Sequence, residues 1–207
     1  MDKILNQTKI PYLTTPYLLS LFAKQKYPKD KIKNLLAKGD LIHLKQGLYL
    51  LGEEYQRPYS KEVLAGMIYG PSAISLEYAL GYHGLIPERV ETVTSICFKR
   101  NKEFSTPIGA FTYRYFGADL YPLGIDYVQA ETGNFFIASS EKALCDMAYN
   151  ASITSEAEAL DYVLGSLRVE EEEVRKLRAP LLMELGKTYN RRSSSHLVDA
   201  LIIFQNT

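Results

Sequence analysis

The sequence predicts an α+β chain in three parts, on three observations. Helical periodicity opened by proline fills the first forty residues. Alternating β-branched and aromatic segments lie between 92 and 138. From Ala151 onward the apolar spacing is helical throughout. Residues 1–52 are assigned to a first unit, 60–150 to a mixed α/β unit and 151–207 to a helical C-terminal region. A chain of 207 residues is long enough to bury a core in one large domain or in two to three small ones.

The elements follow in chain order. Residues 2–8 have room for one or two helical turns before Pro11. Thr14-Thr15-Pro16 reads as a helix start, with a Thr cap and a proline where no backbone donor is needed. That helix is expected to run to about Lys24 and to bury Leu18, Leu19 and Phe22. Pro28 opens a second helix, and Gly39 closes it. LIHL and LYLL (41–44 and 48–51) read as a hairpin turning at Lys45-Gln46-Gly47. GEEYQRPY (52–59) is polar and reads as a linker. Ser60 caps a helix to about Tyr69, and Ser75 begins another that ends near Gly84. TVTSICFK (92–99) and IGAFTYRYF (108–116) read as strands joined by the polar RNKEFSTP. Strands at 126–130 and 134–138 flank the turn Glu131-Thr132-Gly133, and Ser139 caps the helix SEKALCDMAYN. Helices are expected at about 154–165, 169–178, 180–189 and 194–204.

Composition narrows the class. No apolar run reaches the length of about 18 residues that a membrane-spanning helix needs, and MDKILNQTKIPYL lacks the apolar core of a signal peptide, so a cytoplasmic protein is expected. Cys97 and Cys145 each sit in an apolar segment and read as buried, reduced thiols. With three His and no ligand spacing, no metal or cofactor is expected. Formal net charge is zero, but residues 1–50 hold nine Lys against three Asp, so that segment carries +6 and the remainder −6. A local excess of this kind points to contact with a polyanion.

The basic segment has a defined geometry. At 100° per residue, the 29–38 helix places Ile32, Leu35 and Leu36 on one face. Asp30, Lys33, Asn34, Ala37 and Lys38 lie opposite, flanked by Lys29 and Lys31. A helix entering a DNA major groove needs this pattern: Lys for phosphate or guanine, Asn for adenine, and little bulk. Two helices joined by a short turn around Tyr27 have a helix-turn-helix layout, and the hairpin behind them reads as a wing. Lys33, Asn34 and Lys38 are expected nearest the bases, with Lys29 and Lys31 on phosphates. Lys45 and Gln46 are expected on the flanking backbone, and the Thr14-Thr15 helix start is expected to hold a phosphate on backbone N–H groups.

Beyond this pattern, K-G-D-L-I-x-L-x-x-G-L-Y (38–49) is followed by Y-G-P-S-A-x-S-L-E-Y-A-L-x-Y-H-G-L-I-P-E (69–88). Later come V-T-S-I (93–96), F-x-x-P-I-G-x-F-x-Y (104–113) and I-A-S-S-E-K-A-L-C-D (137–146). Over about residues 10–150 the chain resembles the AbiEi-like antitoxins, transcriptional regulators of AbiE-type toxin–antitoxin systems, with 72–88 and 137–146 the more specific segments. The resemblance implies an N-terminal winged helix that binds operator repeats in the chain's own promoter and represses the operon. It also implies neutralisation of a nucleotidyltransferase-like toxin, and no enzymatic activity. The chain departs from that pattern at the hairpin, where His43 and Gln46 stand in place of arginines.

Ser139 and Lys142 match the S-x-x-K spacing of serine acyl enzymes, but no S-D-N or K-T-G accompanies them, and Ser139 reads as a helix cap. His83 beside Gly84 reads as a helix terminus. Glu171/Arg175 and Glu172/Lys176 read as i,i+4 pairs on a solvated helix, and Arg191–Ser195 as an interhelix loop or a second DNA contact. The competing function is a non-enzymatic protein-binding module whose basic segment docks an acidic partner without specific DNA binding.

Overall fold

The computed structural model describes residues 2–207. The fold is α+β, built on two sheets. The first unit starts with the short helix α1 (Lys3–Asn6), capped by the Asp2 carboxylate, whose Leu5 is fully buried. Strand β1 (Tyr12–Thr14), helix α2 (Thr15–Leu21) and helix α3 (Pro28–Ala37) follow, then strands β2 (Leu41–Lys45) and β3 (Leu48–Leu51). The three strands form an antiparallel sheet in the order β1-β3-β2.

That sheet buries both faces. Leu13, Leu41 and Leu51 pack with Leu5, Leu18, Phe22, Ile32 and Leu35 under the helices. Tyr12, Leu44, Leu48 and Leu50 point the other way, into the core of the rest of the chain. LYLL is continuously apolar, and LIHL is broken only by the exposed His43, because most of the sheet is covered on both faces.

Residues 52–59 do not form the linker expected of a polar segment. Glu53–Tyr55 is a 3-10 turn, and Tyr55, 1% exposed, enters the first core. Its hydroxyl donates to Asp40 at 2.6 Å and accepts the Asp2 N–H at 2.8 Å. Burial and the Asp40 carboxylate raise the Tyr55 phenol to about 12. Arg57 donates to the carbonyls of Asn6 and Thr8, closing the chain over the end of α1.

The second unit is helix α4 (Lys61–Ile68), strand β4 (Ser72–Ile74), helix α5 (Leu76–Tyr82), strands β5 (Val93–Cys97), β6 (Lys102–Thr106), β7 (Gly109–Tyr115), β8 (Ile125–Ala130) and β9 (Gly133–Ala138), and helix α6 (Ser140–Tyr149). Its six strands are ordered β6-β7-β5-β4-β9-β8, with β4–β9 and β5–β7 parallel and the other pairs antiparallel. Two strands escape sequence reading. Strand β4 is only three residues long, all buried, too short to show a period. Strand β6 lies within RNKEFSTP, read above as a connection. It is an edge strand whose one large apolar residue is Phe104, and charge on an edge blunts pairing with another chain. Cys97 and Cys145 are buried and unpaired with each other.

Helix α7 (Glu156–Asp161), continuing into a π-helical stretch (Tyr162–Ser166), precedes α8 (Glu171–Lys176), α9 (Ala179–Tyr189) and α10 (Arg192–Gln205). Leu182, Leu185, Leu197 and Leu201 are fully buried in the same core as the six-stranded sheet. The i,i+4 pairs expected on α8 do not form. Lys176 pairs with Glu173, while the Arg175 guanidinium lies over the Phe204 ring at 4.8 Å. Arg191–Ser195 is no loop: Arg192 begins α10, and Arg191 stacks on Tyr149 at 4.1 Å.

A buried polar network ties these helices to the sheet. The Lys142 ammonium, fully buried, donates to the Leu120 carbonyl at 2.9 Å, the Tyr189 hydroxyl at 2.8 Å and Asp146 at 3.1 Å. Asp146 also accepts from Ser75 at 2.5 Å and from the Tyr189 hydroxyl. All three lysine donors are spent on named partners. Ser139 caps α6 by accepting the Lys142 N–H, so the S-x-x-K spacing marks a cap and a core ion pair. Nearby, Arg178 grips Glu141 through its backbone N–H (2.8 Å), Nε (3.1 Å) and Nη2 (3.0 Å). Burial works to raise the Glu141 carboxyl, but the Arg178 bonds outweigh it and hold it at about 2.

Removing one partner of a buried pair strands the other charge, at about 3–5 kcal/mol. Lys142→Met should therefore lower the unfolding free energy measured in urea by that amount, and Lys142→Met/Asp146→Asn should recover part of the loss. Glu141 has a depressed folded pKa, so its stabilisation is present above the unfolded value and fades as pH falls from about 4.5 towards 2. Arg178→Ala should cost about 2 kcal/mol at pH 7, and that difference from wild type should shrink across this acid window in denaturant melts.

Candidate nucleic-acid interface

Helix α3 forms because Pro28 sits at its first position, Asp30 in its first turn, and only Ile32 is β-branched among its ten residues. Gly39, at φ +78°, ends it in a conformation that costs glycine little. Ile32 and Leu35 are buried against Leu18 and Phe22, which fixes the rotation of the helix. Lys29, Asp30, Lys33, Asn34, Ala37 and Lys38 are all exposed on the other side, as the 100° spacing requires. Lys29, Lys33 and Lys38 form no ion pair among the described residues.

Lys31 differs from these three. It is half-buried, pairs with Asp2 at 2.5 Å and lies over the Phe22 ring at 5.9 Å. Burial works to raise the Asp2 carboxyl, but Lys31 and the Ile4 and Leu5 amides outweigh it and hold it below the usual value. The Lys31 ammonium thus anchors α1 to α3 rather than standing free for a phosphate.

The helix start at Thr14-Thr15 is also committed. Thr14 caps α2 by accepting the Tyr17 N–H at 3.4 Å, and Thr15 donates to the Tyr49 hydroxyl at 3.4 Å. With seven residues in α2 and the Tyr17 amide capped from within, this terminus is a structural cap, not the phosphate cradle expected from the sequence.

The hairpin departs furthest from expectation. Lys45 belongs to β2, so the turn is Gln46-Gly47, and the register shifts between His43 and Lys45. This bulge turns both Leu44 and Lys45 toward the second unit. Leu44 enters its core, and the Lys45 ammonium donates to the Ile68 carbonyl at the end of α4. Burial and the neighbouring Lys99 lower the Lys45 pKa. Gln46 remains exposed at the tip. The sequence carried a sign of this: a hairpin projecting freely into solvent would not be apolar on both faces.

Two tyrosines not assigned to the site from the sequence are exposed in the same unit. Tyr17 and Tyr27 are 42% and 61% exposed, one on α2 and the other immediately before α3, with Lys26 over the Tyr27 ring at 5.3 Å. A tyrosine before a helix-opening proline was the available signal. Hydroxyls so placed can donate to phosphate oxygens.

No known family model matches the chain, and no curated protein matches it. Among the described residues, no helix is long and apolar enough to cross a membrane, and no cluster of His, Cys, Asp or Glu has the geometry to hold a metal ion. His83, read above as a helix terminus, bonds the Ala138 carbonyl through Nε2 at 2.8 Å.

The different settings of two lysines predict different costs. Lys45→Met removes a bond joining the two units and should lower stability by about 1 kcal/mol. Lys33→Ala, on the open face, should stay within about 0.5 kcal/mol of wild type in the same thermal melts.

Proposed function

We propose that this chain is a sequence-specific DNA-binding protein that represses its own promoter, with α1–α3 and the three-stranded sheet acting as a winged helix. The observation that carries this reading is the open face of α3. Three lysines without an ion pair among the described residues share it with Asn34, on a helix whose opposite side is locked into a core. Lys33, Asn34 and Lys38 approach base edges, and Lys29 contacts phosphate. Tyr17, Tyr27 and Gln46 supply neutral donors at the margins. Because the hairpin is packed against the second unit, its tip contributes little charge, and affinity rests on the helix. The resemblance over residues 10–150 extends the proposal to an antitoxin that also binds a nucleotidyltransferase-like toxin, with no catalysis of its own.

A gel-shift titration with the duplex upstream of this chain's gene, against unrelated duplex of equal length, tests the reading. Wild type should prefer the upstream duplex, and its affinity should fall with salt. Lys33→Ala/Asn34→Ala should erase the preference at a loss of roughly tenfold to a hundredfold. Lys29→Ala should weaken binding to both probes and reduce the salt slope by about 1. Equal, weak binding of wild type to both duplexes would remove this reading in favour of a module that docks an acidic protein.

A further inference from the structure

A second cationic surface lies on the six-stranded sheet. The loop after β5 and the outer ends of β6 and β7 enclose an open groove of about 1340 Å³. Lys99, Arg100, Lys102 and Arg114 line it against one carboxylate, Glu103. None of these four cations forms an ion pair among the described residues. Lys99 is held in place by the Gly70 carbonyl at 2.5 Å and the Tyr69 ring at 5.5 Å.

Two aromatic rings stand among these charges. Phe98 and Tyr115 also line the groove and are 43% and 57% exposed. Phe98 is fixed edge-on against Tyr121 at 5.2 Å. The Tyr115 backbone is fixed by its N–H donating to Asn101 Oδ1 at 2.7 Å, while its ring has no aromatic partner among the described residues. Exposing such rings in water is unfavourable, and stacking on bases would offset that cost. The Asn101 amide keeps its N–H donors, and Thr112 and Asn150 add a hydroxyl and a second amide.

Cations that track a backbone, rings open to stacking and polar groups beside them are the chemistry that recognises an unpaired strand. The volume suits roughly four nucleotides, the lower end of single-strand site sizes. Amides and a hydroxyl can bond a 2′-hydroxyl, which is both donor and acceptor. We propose that this groove binds a short segment of single-stranded RNA, with Tyr115 stacking on a base and Arg100, Lys102 and Arg114 on the phosphates. The proposal goes beyond promoter binding and does not depend on α3.

Fluorescence anisotropy of the full chain with labelled ten-residue oligouridine tests it, with oligothymidine of equal length and a random duplex as comparison probes. Wild type should bind oligouridine more tightly than either comparison. Tyr115→Ala should weaken that binding roughly tenfold, and Tyr115→Phe should retain it, with thermal melts showing both variants folded. Arg100→Ala/Arg114→Ala should reduce the salt slope by about 1.4, as expected for two lost phosphate contacts on a single strand. Absence of oligouridine binding at 50 mM salt, or binding that Tyr115→Ala and the double arginine variant leave unchanged, would overturn the proposal. Equal affinity for oligothymidine would overturn the assignment to RNA.

Discussion

The three-stranded sheet is the constraint on which the rest of the molecule depends. It is buried on both faces, by the N-terminal helices on one side and by the core of the mixed unit on the other. A sheet in that position cannot move with one unit alone, because separation would expose Tyr12, Leu44, Leu48 and Leu50 together. Each fully buried leucine is worth about 1.5–3 kcal/mol. The hairpin therefore serves as a joint, and the face of α3 is presented from a single rigid base.

A second tie holds the C-terminal helices. Tyr189 of α9 reaches Lys142 and Asp146 of α6, and Ser75 reaches Asp146 from the turn between β4 and α5. Burial raises the Asp146 carboxyl, with the Lys142 ammonium and the hydroxyl donors acting against it. Hydrophobic packing alone would let α9 slide. A network with directional bonds admits one arrangement, at the desolvation cost that buried ions always carry. The tail is thus part of the main core, although its sequence differs in character from the segment before it.

The cations divide by what surrounds them. Lys31 and Lys45 are spent inside the fold, on Asp2 and on the Ile68 carbonyl. Lys29, Lys33 and Lys38 face solvent on α3, and Arg100, Lys102 and Arg114 face a groove on the sheet. Segment charge alone does not distinguish these cases. The excess of +6 in the first fifty residues overstates the free charge there, and a remainder of −6 conceals a cationic groove. A polyanion responds to the arrangement of charge over about a Debye length, roughly 8–10 Å, not to the sum over a segment.

The sequence by itself determined the α+β class, the extent of α3 and its buried and open faces, because helical period and proline and glycine signals are local. It also determined the Ser60 and Ser139 caps and the β8–β9 hairpin, for the same reason. Tertiary structure alone decided the inward turn of Lys45, the capture of Lys31, the burial of Tyr55 in an apparent linker and the strand character of 102–106. The first three depend on a partner distant in the chain: Ile68, Asp2 across α1, and Asp40; the strand at 102–106 pairs with its hairpin neighbour β7 but has a single large apolar residue to mark it. Distant partners come together only when the core closes, so no local pattern announces them.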